Sequence, residues 1–508
     1  MSTKLRGGDS ANCLHEGAPV TRRAFTVGGV AAGISMLGAS SMALATEGAQ
    51  DGPAADESGE GSPADKVDLL VIGSGMAGTC AAIQAAEDGL SVLVIEKHDI
   101  AGGVSLMSDG LVMASPTSIA QDQGVNFSAH AFYRYLAEEL DPAAASDRDI
   151  QHAFAYGSAA GARFLERQGV AFLGVESVRE GMPACTLSTD GGAAVMTCLH
   201  ERLAELGVEI RTGCAALELV RDEKGGVCGA RVSDGEAEET VGARAVLLAT
   251  GGFSASPEMM VLHASPLLAG TSSYNANTGD GYEMARAAGA AMLDTDVTIT
   301  TSSEVFSPSW LGAFQPELFY VNGEGNRYCD ESISVFDRVY ELLSSGSDVE
   351  YAILDEEQRQ TYADVFDVAP EGSVYEGDDP RTLADALGID ADAFATTIER
   401  YNELCDAGED VDFGKDARYL KRLEGRLYAL RMSFDTSDTL SGPRINRSAQ
   451  VLDASGCAIR GLYAAGAVSM AQLAGHAYPG SGASLMNGCV FGRAAARHVR
   501  TLIDLGLL

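Results

Sequence analysis

Residues 67–103 read VDLLVIGSGMAGTCAAIQAAEDGLSVLVIEKHDIAGG, and this stretch constrains the fold most tightly. An apolar run, Val67 to Ile72, meets Gly73-Ser-Gly75-Met-Ala-Gly78. A helix of small residues follows, then a second apolar run from Ser91 to Ile95 that ends at Glu96. Strand, glycine turn, helix, strand and acid in that order form a βαβ unit suited to a dinucleotide. Gly73 permits the tight turn. Gly75 lets backbone N–H groups approach a pyrophosphate, and Gly78 lets the helix pack close to the sheet. Glu96 lies about 20 residues past the first glycine, where a carboxylate accepts bonds from a ribose diol. A GxGxxG triplet alone also occurs in purely structural turns. Here the strand, the helix and the acid are in register with it.

The chain has 508 residues, 46% of them hydrophobic, which suits a large globular protein of two or more domains. A formal charge of −37 would repel phosphates and argues against nucleic acid as a partner. The acidity is spread along the chain, as on a solvated surface. Thr21-Arg22-Arg23-Ala24-Phe25 precedes a weakly apolar run, Val27 to Leu37, and then Ala43-Leu44-Ala45. This resembles a twin-arginine export signal with an A-x-A cleavage site over residues 1–45. The other reading is a cytosolic tail with a chance Arg-Arg pair. The apolar run is too short for a permanent membrane anchor. Residues 46–64 are acidic, rich in Gly, Pro and Ser, and read as a flexible linker. Cys13 lies in the leader, and the remaining cysteines are scattered with no C-x-x-C pair. No haem, zinc or iron–sulfur spacing is present, and no metal site is expected.

Further along, residues 127–170 alternate helical signals, and 193–206 read as a helix leading into a strand at Gly207-Val-Glu-Ile-Arg-Thr. Hairpin-like segments cover 215–233, and Ala245 to Thr250 is a buried strand ending at Gly251-Gly252. A Gly-rich loop and a helix with Asp280 near its start occupy 274–291. Residues 293–437 change character. Short strands and acidic loops (300–330) give way to helical signals at 355–365, 381–405 and 415–430. Gly461-Leu-Tyr-Ala-Ala-Gly466 is another strand-to-glycine turn, and a closing helix spans 484–503. The expected fold is α/β. A Rossmann-type nucleotide domain (65–292 and 438–508) is interrupted by an inserted α+β cap at 293–437.

These pieces together resemble the flavoprotein family of fumarate reductases, urocanate reductases and 3-ketosteroid dehydrogenases. The resemblance covers roughly residues 65–505. It rests on IGSGMAG with Glu96, GGVSLMSDG at 102–110, LLATGGF at 247–253, TGDGYEMARAAGA at 278–290, VNGEGNRYCDE at 321–331, and GLYAAG with PGSGASLMNGCVFGR. It implies a glutathione-reductase-like domain that binds FAD. The 102–110 loop and the last helix would flank the isoalloxazine. The residues it assigns to FAD are Gly73, Gly75, Gly78, Glu96, Gly102, Gly103, Ser105, Thr250, Gly251, Asp280, Gly466, Ser484 and Leu485. The 102–110 loop has no histidine, so noncovalent FAD is expected, with His98 read as a surface residue.

Dicarboxylate chemistry needs cations, because arginine holds carboxylates by bidentate bonds. The resembled fumarate reductases supply four such elements, and this chain departs at each. No His-Pro-Thr triplet occurs between 290 and 330. Val335 and Asp438 stand where an arginine and a histidine are expected, and the last arginine's place falls near Tyr478. Gly475-His-Ala-Tyr478-Pro-Gly-Ser-Gly482 instead resembles the 3-ketosteroid dehydrogenase turn. There the tyrosine hydroxyl and the last glycine's N–H bond the substrate ketone, roles that fall on Tyr478 and Gly482. Two such donors stabilise the enolate that hydride transfer creates. Tyr478 as a packing residue is the alternative, and His476 either orients Tyr478 or caps the turn. The family's base tyrosine would fall at Val335, which leaves Tyr328 and Tyr340 as weak candidates for proton handling.

The leader and the family resemblance together imply an exported, periplasmic or otherwise extracytoplasmic, FAD-dependent oxidoreductase acting on CH–CH groups. Its substrate is an apolar enone, steroid-like or polyphenol-like, that it reduces or forms by dehydrogenation. A separate cytochrome or quinol system is the expected electron donor. The alternatives are a fumarate reductase-type dicarboxylate reductase and a secreted flavin-binding electron carrier without catalysis. Replacing Arg22 and Arg23 together by lysine should leave the uncleaved precursor inside the cell. Fractionation and immunoblotting check this, and unchanged export would refute the twin-arginine route.

Overall fold

The structure is a computed structural model that describes residues 66–140, 146–177, 185–272, 274–303, 315–475 and 477–508. The leader (1–45), the linker (46–64) and His476 lie outside the described residues. No helix among the described residues is long and apolar enough to cross a membrane.

The first apolar run forms β1 (Val67–Ile72). Both its faces are covered, and Leu69, Leu70 and Val71 have no exposed surface, so the run shows no polar alternation. The glycine turn opens into α1 (Met76–Glu87), and the chain returns as β2 (Val92–Ile95). Next come α2 (Gly103–Met107), α3 (Arg148–Arg167), α4 (Gly191–Glu205) and β3 (Glu209–Arg211). A hairpin of β4 (Ala215–Arg221) and β5 (Val227–Ser233) leads into β6 (Glu238–Leu248), followed by α5 (Asp280–Ala287). Residues 298–439 contribute β7 (Thr298–Ser303), β8 (Phe319–Asn322), α6 (Val335–Ser344), β9 (Glu350–Asp355) and β10 (Val374–Gly377). They continue with α7 (Pro380–Leu387), α8 (Ala391–Ala407), β11 (Leu427–Arg431) and β12 (Ser433–Thr439). The chain closes with β13 (Gln450–Leu452), β14 (Ala458–Ala464) and α9 (Ala483–Asp504).

The main sheet runs β13-β14-β6-β1-β2-β3, with the β4–β5 hairpin attached to β6 through β5. The pairs β14/β6, β6/β1, β1/β2 and β2/β3 are parallel. In their register Ile95, Ile72, Leu248 and Ala464 fall in one row. Four strands therefore end together, and the loops that follow them share one edge. Crevices at the carboxyl edge of parallel strands are where such sheets bind ligands. α1 and α9 cover the sheet, and Gly492 brings α9 so close that a Cβ there would collide with the Ala77 carbonyl.

A second, antiparallel sheet runs β8-β9-β11-β10. Its alternation is sharp: Phe319 and Val321 pack on one face with Phe394, and Tyr320 packs on the other with Leu354 and Leu430. An antiparallel ribbon, β7 with β12, runs beside it. The helix expected at 415–430 is not there. Only a single 3-10 turn forms (Ala417–Tyr419), and Leu427–Arg431 is a strand paired to β9 and β10. Gly425 takes φ +69, which ends any helix before the apolar run Leu427-Tyr-Ala-Leu430. The helical stretch at 381–405 is likewise two helices, separated at Gly388 with φ +74.

Between β9 and α6 lies a buried ion pair, with Arg338 1% and Glu350 0% exposed at the side chain and 2.9 Å apart. The Glu350 carboxylate also accepts from the hydroxyls of Tyr328 and Ser302. The Arg338 guanidinium stacks 4.0 Å over Tyr320. Tyr328 is thus tied into packing, which removes it as a proton carrier. Glu350→Leu leaves a buried guanidinium without its anion and should cost about 3–5 kcal/mol. Adding Arg338→Met to that variant should recover much of the loss, as read by urea unfolding.

Candidate active site

An open cleft of about 830 Å³ follows the row of strand ends. Its wall carries Gly73 and Gly75 after β1, Glu96 and Lys97 after β2, Thr250 and Gly251 after β6, and Gly466 after β14. Gly103 and Ser105 of α2, Asp280 of α5, and Ser484 and Leu485 of α9 complete it. Of the residues assigned to the cofactor, only Gly78 and Gly102 are absent from this wall. A Cβ on Gly78 would collide with the Gly73 carbonyl, so its part is packing behind the turn. Gly102 donates its N–H to the Ser74 hydroxyl at 2.9 Å and braces the turn from the α2 side.

Gly73 sits at φ +104, and a Cβ there would strike the Ala249 carbonyl. Gly75 differs. Its φ is −69, and an added Cβ would meet nothing closer than 3.4 Å. The protein itself therefore tolerates a side chain at Gly75, and what needs the space is a ligand in the cleft. α1 starts there with no acidic residue in its first turn, so its positive end is not neutralised from within the helix. The Met76 N–H donates to the Ser105 hydroxyl at 3.1 Å. The Thr250 hydroxyl is buried with no partner among the described residues. A glycine cradle, an open helix N-terminus and an orphaned hydroxyl on one wall fit a dinucleotide with a pyrophosphate.

Glu96 is 6% exposed and fully engaged: Oε2 accepts from the Ser74 N–H (3.1 Å) and hydroxyl (2.6 Å), and Oε1 from the His98 N–H (3.1 Å). Lys97 pairs with Asp280 at 2.8 Å, and the Thr278 hydroxyl also donates to Asp280 at 2.8 Å. Asp280 is thus reached from the cleft as a partner of Lys97, a neighbour the sequence did not single out. The expectation of His98 as a surface residue needs correction. Its ring is half-buried, and Nε2 is enclosed with no partner among the described residues.

At the other end, the 478–482 turn is held from three directions. Tyr135 donates its hydroxyl to the Pro479 carbonyl (2.8 Å), Thr186 to the Ser481 carbonyl (3.0 Å), and the Met113 N–H to the Gly482 carbonyl (3.1 Å). Gly482 caps α9 at φ +88, with Met113 and Val112 packed where a Cβ would go. Its N–H has no hydrogen-bond partner among the described residues. Tyr478 is 4% exposed, and its hydroxyl oxygen accepts the Ser484 N–H at 3.1 Å. Burial, and then the charge of Asp438, push that hydroxyl well above the usual phenol range. Tyr478 and Gly482 are not on the wall of the large cleft. Tyr478 lines a second cavity of about 360 Å³ with Phe336, Val339, Leu343 and Tyr340. Phe336 meets the Tyr478 ring edge-on at 4.8 Å. Val335 opens α6 and is 5% exposed.

Two residues of this end were missed as site residues from sequence. Asp438 was noted only as the loss of a histidine, yet it lies on the cleft wall with Asn277. The one available signal was an acid placed between polar residues just before the Gly442 turn.

The family described as FAD binding domain matches residues 68–485 of this chain. The chain is 29% identical over 487 residues to the vinyl phenol reductase of Lactiplantibacillus plantarum, covering 85% of this chain and 96% of that protein. It is 28% identical over 422 residues to the fumarate reductase (cytochrome) of Shewanella frigidimarina, covering 80% of this chain and 73% of that one. Among solved structures, a 3-ketosteroid-delta4-(5alpha)-dehydrogenase from Rhodococcus jostii RHA1, in complex with 4-androstene-3,17-dione, aligns with a TM-score of 0.75 at 25% identity. That alignment covers 88% of this chain and 99% of that one. The chain belongs to the FAD binding domain family, and it is an FAD-dependent oxidoreductase with FAD as its cofactor. When bound, FAD supplies two-electron hydride exchange, and the protein supplies position and charge. Gly75→Val should abolish FAD retention, read from absorbance and acid-released flavin, while the thermal stability of the apoprotein changes little. Retained FAD in that variant would mean the pyrophosphate does not lie at this turn.

Proposed function

We propose that this oxidoreductase, which acts on CH–CH groups, reduces a carbon–carbon double bond conjugated to a carbonyl in an uncharged, apolar substrate. A steroid-like or polyphenol-like compound fits best. We propose also that it works after export, with electrons from a separate cytochrome or quinol system, and that residues 293–437 form the substrate-side cap. The 478–482 turn carries this reading. It offers a buried hydroxyl and an N–H with no partner among the described residues, both on a backbone pinned by Tyr135, Thr186 and Met113. Donors fixed in advance at the place where a carbonyl oxygen gains charge are the strongest contribution a site of this kind makes.

The charges around the site support an uncharged substrate. Lys97 is the cation on the wall of either cavity among the described residues, and it is paired with Asp280. Near the 102–110 loop stand Asp109, Asp435 and Tyr274, whose hydroxyl is pushed up to about 12 by burial and by those two charges. None of these three groups is a cation that could hold a carboxylate. Fumarate should therefore give no turnover with reduced viologen. Tyr478→Phe should keep FAD but slow single-turnover reoxidation of the reduced flavin by an accepted enone about 10²–10³-fold. A rate within about threefold of wild type, a barrier change of roughly 0.65 kcal/mol, would return Tyr478 to a packing role.

A further inference from the structure

Asp438 closes β12 and faces the cleft beside Thr250, Gly251 and Asn277. It is 6% exposed. The N–H groups of Gly252 (2.8 Å) and Thr439 (3.0 Å) both donate to Oδ1, and the Asn277 amide bonds the same carboxyl. Two backbone donors on one oxygen, together with the Asn277 amide, hold the carboxyl in place on the cleft wall. Glu96, equally buried, has donors on both oxygens.

Among the described residues no cation pairs with Asp438. β7, paired with β12, brings Thr298 and Thr300 and no ionisable group next to it. The 250–255 turn brings none either. The 274–280 loop brings Tyr274, which feels Asp435 and Asp109, and Asp280, which is held by Lys97. Tyr478 is the titratable group whose hydroxyl feels the Asp438 charge. Desolvation pushes the Asp438 carboxyl up to about 7, so both of its forms are present near neutrality. The folded chain then holds a proton that the unfolded chain releases from about pH 4 upward. Asp438 therefore lowers stability progressively as pH rises toward 7. Its three hydrogen bonds favour the charged form, and burial outweighs them.

We propose that Asp438 is the catalytic acid of the reaction, giving its carboxyl proton to the carbon α to the substrate carbonyl. This rests on the enone-reduction reading above. The alkene gains a hydride at the β-carbon at the expense of reduced flavin, which is oxidised. The π pair of the double bond moves onto the carbonyl oxygen, held by the Tyr478 hydroxyl and the Gly482 N–H. The enolate then re-forms the C=O and takes the Asp438 proton at the α-carbon, and the resulting carboxylate is reprotonated from solvent. Tyr478 is a poor proton source, because burial holds its proton tightly. Val335 can then stand where a base tyrosine was expected, since the proton comes from β12 and not from α6.

The test uses FAD-loaded enzyme, reduced with dithionite and mixed in a stopped-flow instrument with two enones, 4-androstene-3,17-dione and 2-cyclohexenone. For wild type, saturated-product formation should be fastest below about pH 7 and fall as pH rises through it. Asp438→Asn should bind FAD, form product at least about 100-fold more slowly and lose that pH dependence. Asp438→Glu should recover activity to within about tenfold of wild type, with a displaced midpoint. In D₂O, wild type should deuterate one face of the α-carbon and Asp438→Asn both faces, which a merely structural role would not change. Asp438→Asn should also gain thermal stability relative to wild type at pH 8 and not at pH 4. A flat wild-type profile, or an Asp438→Asn variant within about threefold of wild type with the same midpoint, overturns the proposal. Failure of every probe to reoxidise the wild-type flavin overturns the enone reading itself, and the acid role falls with it.

Discussion

The lateral hydrogen bonds that set Ile95, Ile72, Leu248 and Ala464 in one row determine where everything else in this molecule can be. Parallel pairing aligns strand ends that lie far apart in the chain. Each strand is then followed by a turn that must leave the sheet on the same side. Gly73, Glu96, Thr250 and Gly466 are consequently neighbours on one wall although nearly 400 residues of chain lie between the first and the last. Burial of β1 on both faces makes a register slip costly, because every side chain of the strand is already committed to a packed layer.

That row also bears on where the 478–482 turn can sit. α9 packs on α1 closely enough for Gly492 to touch Ala77, so its first turn arrives beside the strand ends. The 478–482 turn is then pinned by side chains and backbone from three other segments. Rigidity of this kind matters for chemistry that depends on donors already in place before charge develops. The same crowding keeps Tyr478 and Asp438 out of water and accounts for the raised proton affinity of both.

Much of the nucleotide side was legible without coordinates. The βαβ unit, the β4–β5 hairpin, β6 with its double glycine, α5 and α9 all occur where periodicity and turn residues placed them. Signals of this kind are local, and glycines at positive φ announce themselves. The 415–430 stretch was misread because charged residues at helical spacing look alike in a helix and in a loop that clamps one. Lys415, for example, is fully buried and bonded to the Leu318 carbonyl. Tyr328 is a weak candidate for proton handling from sequence, and only the structure shows it bound to Glu350.

By itself the sequence determined the class of fold and the cofactor's glycine turn, because both are written in residue types at short spacing. Tertiary structure decided what those residues are for. It separated Gly75, which leaves room for a ligand, from Gly78, which leaves room for the sheet. It enclosed His98 and tied up Tyr328. It turned Asp438 from a missing histidine into a desolvated carboxyl on the cleft wall. Burial, and the hydrogen bonds a group keeps once water is gone, belong to the packed chain and to no segment of it alone.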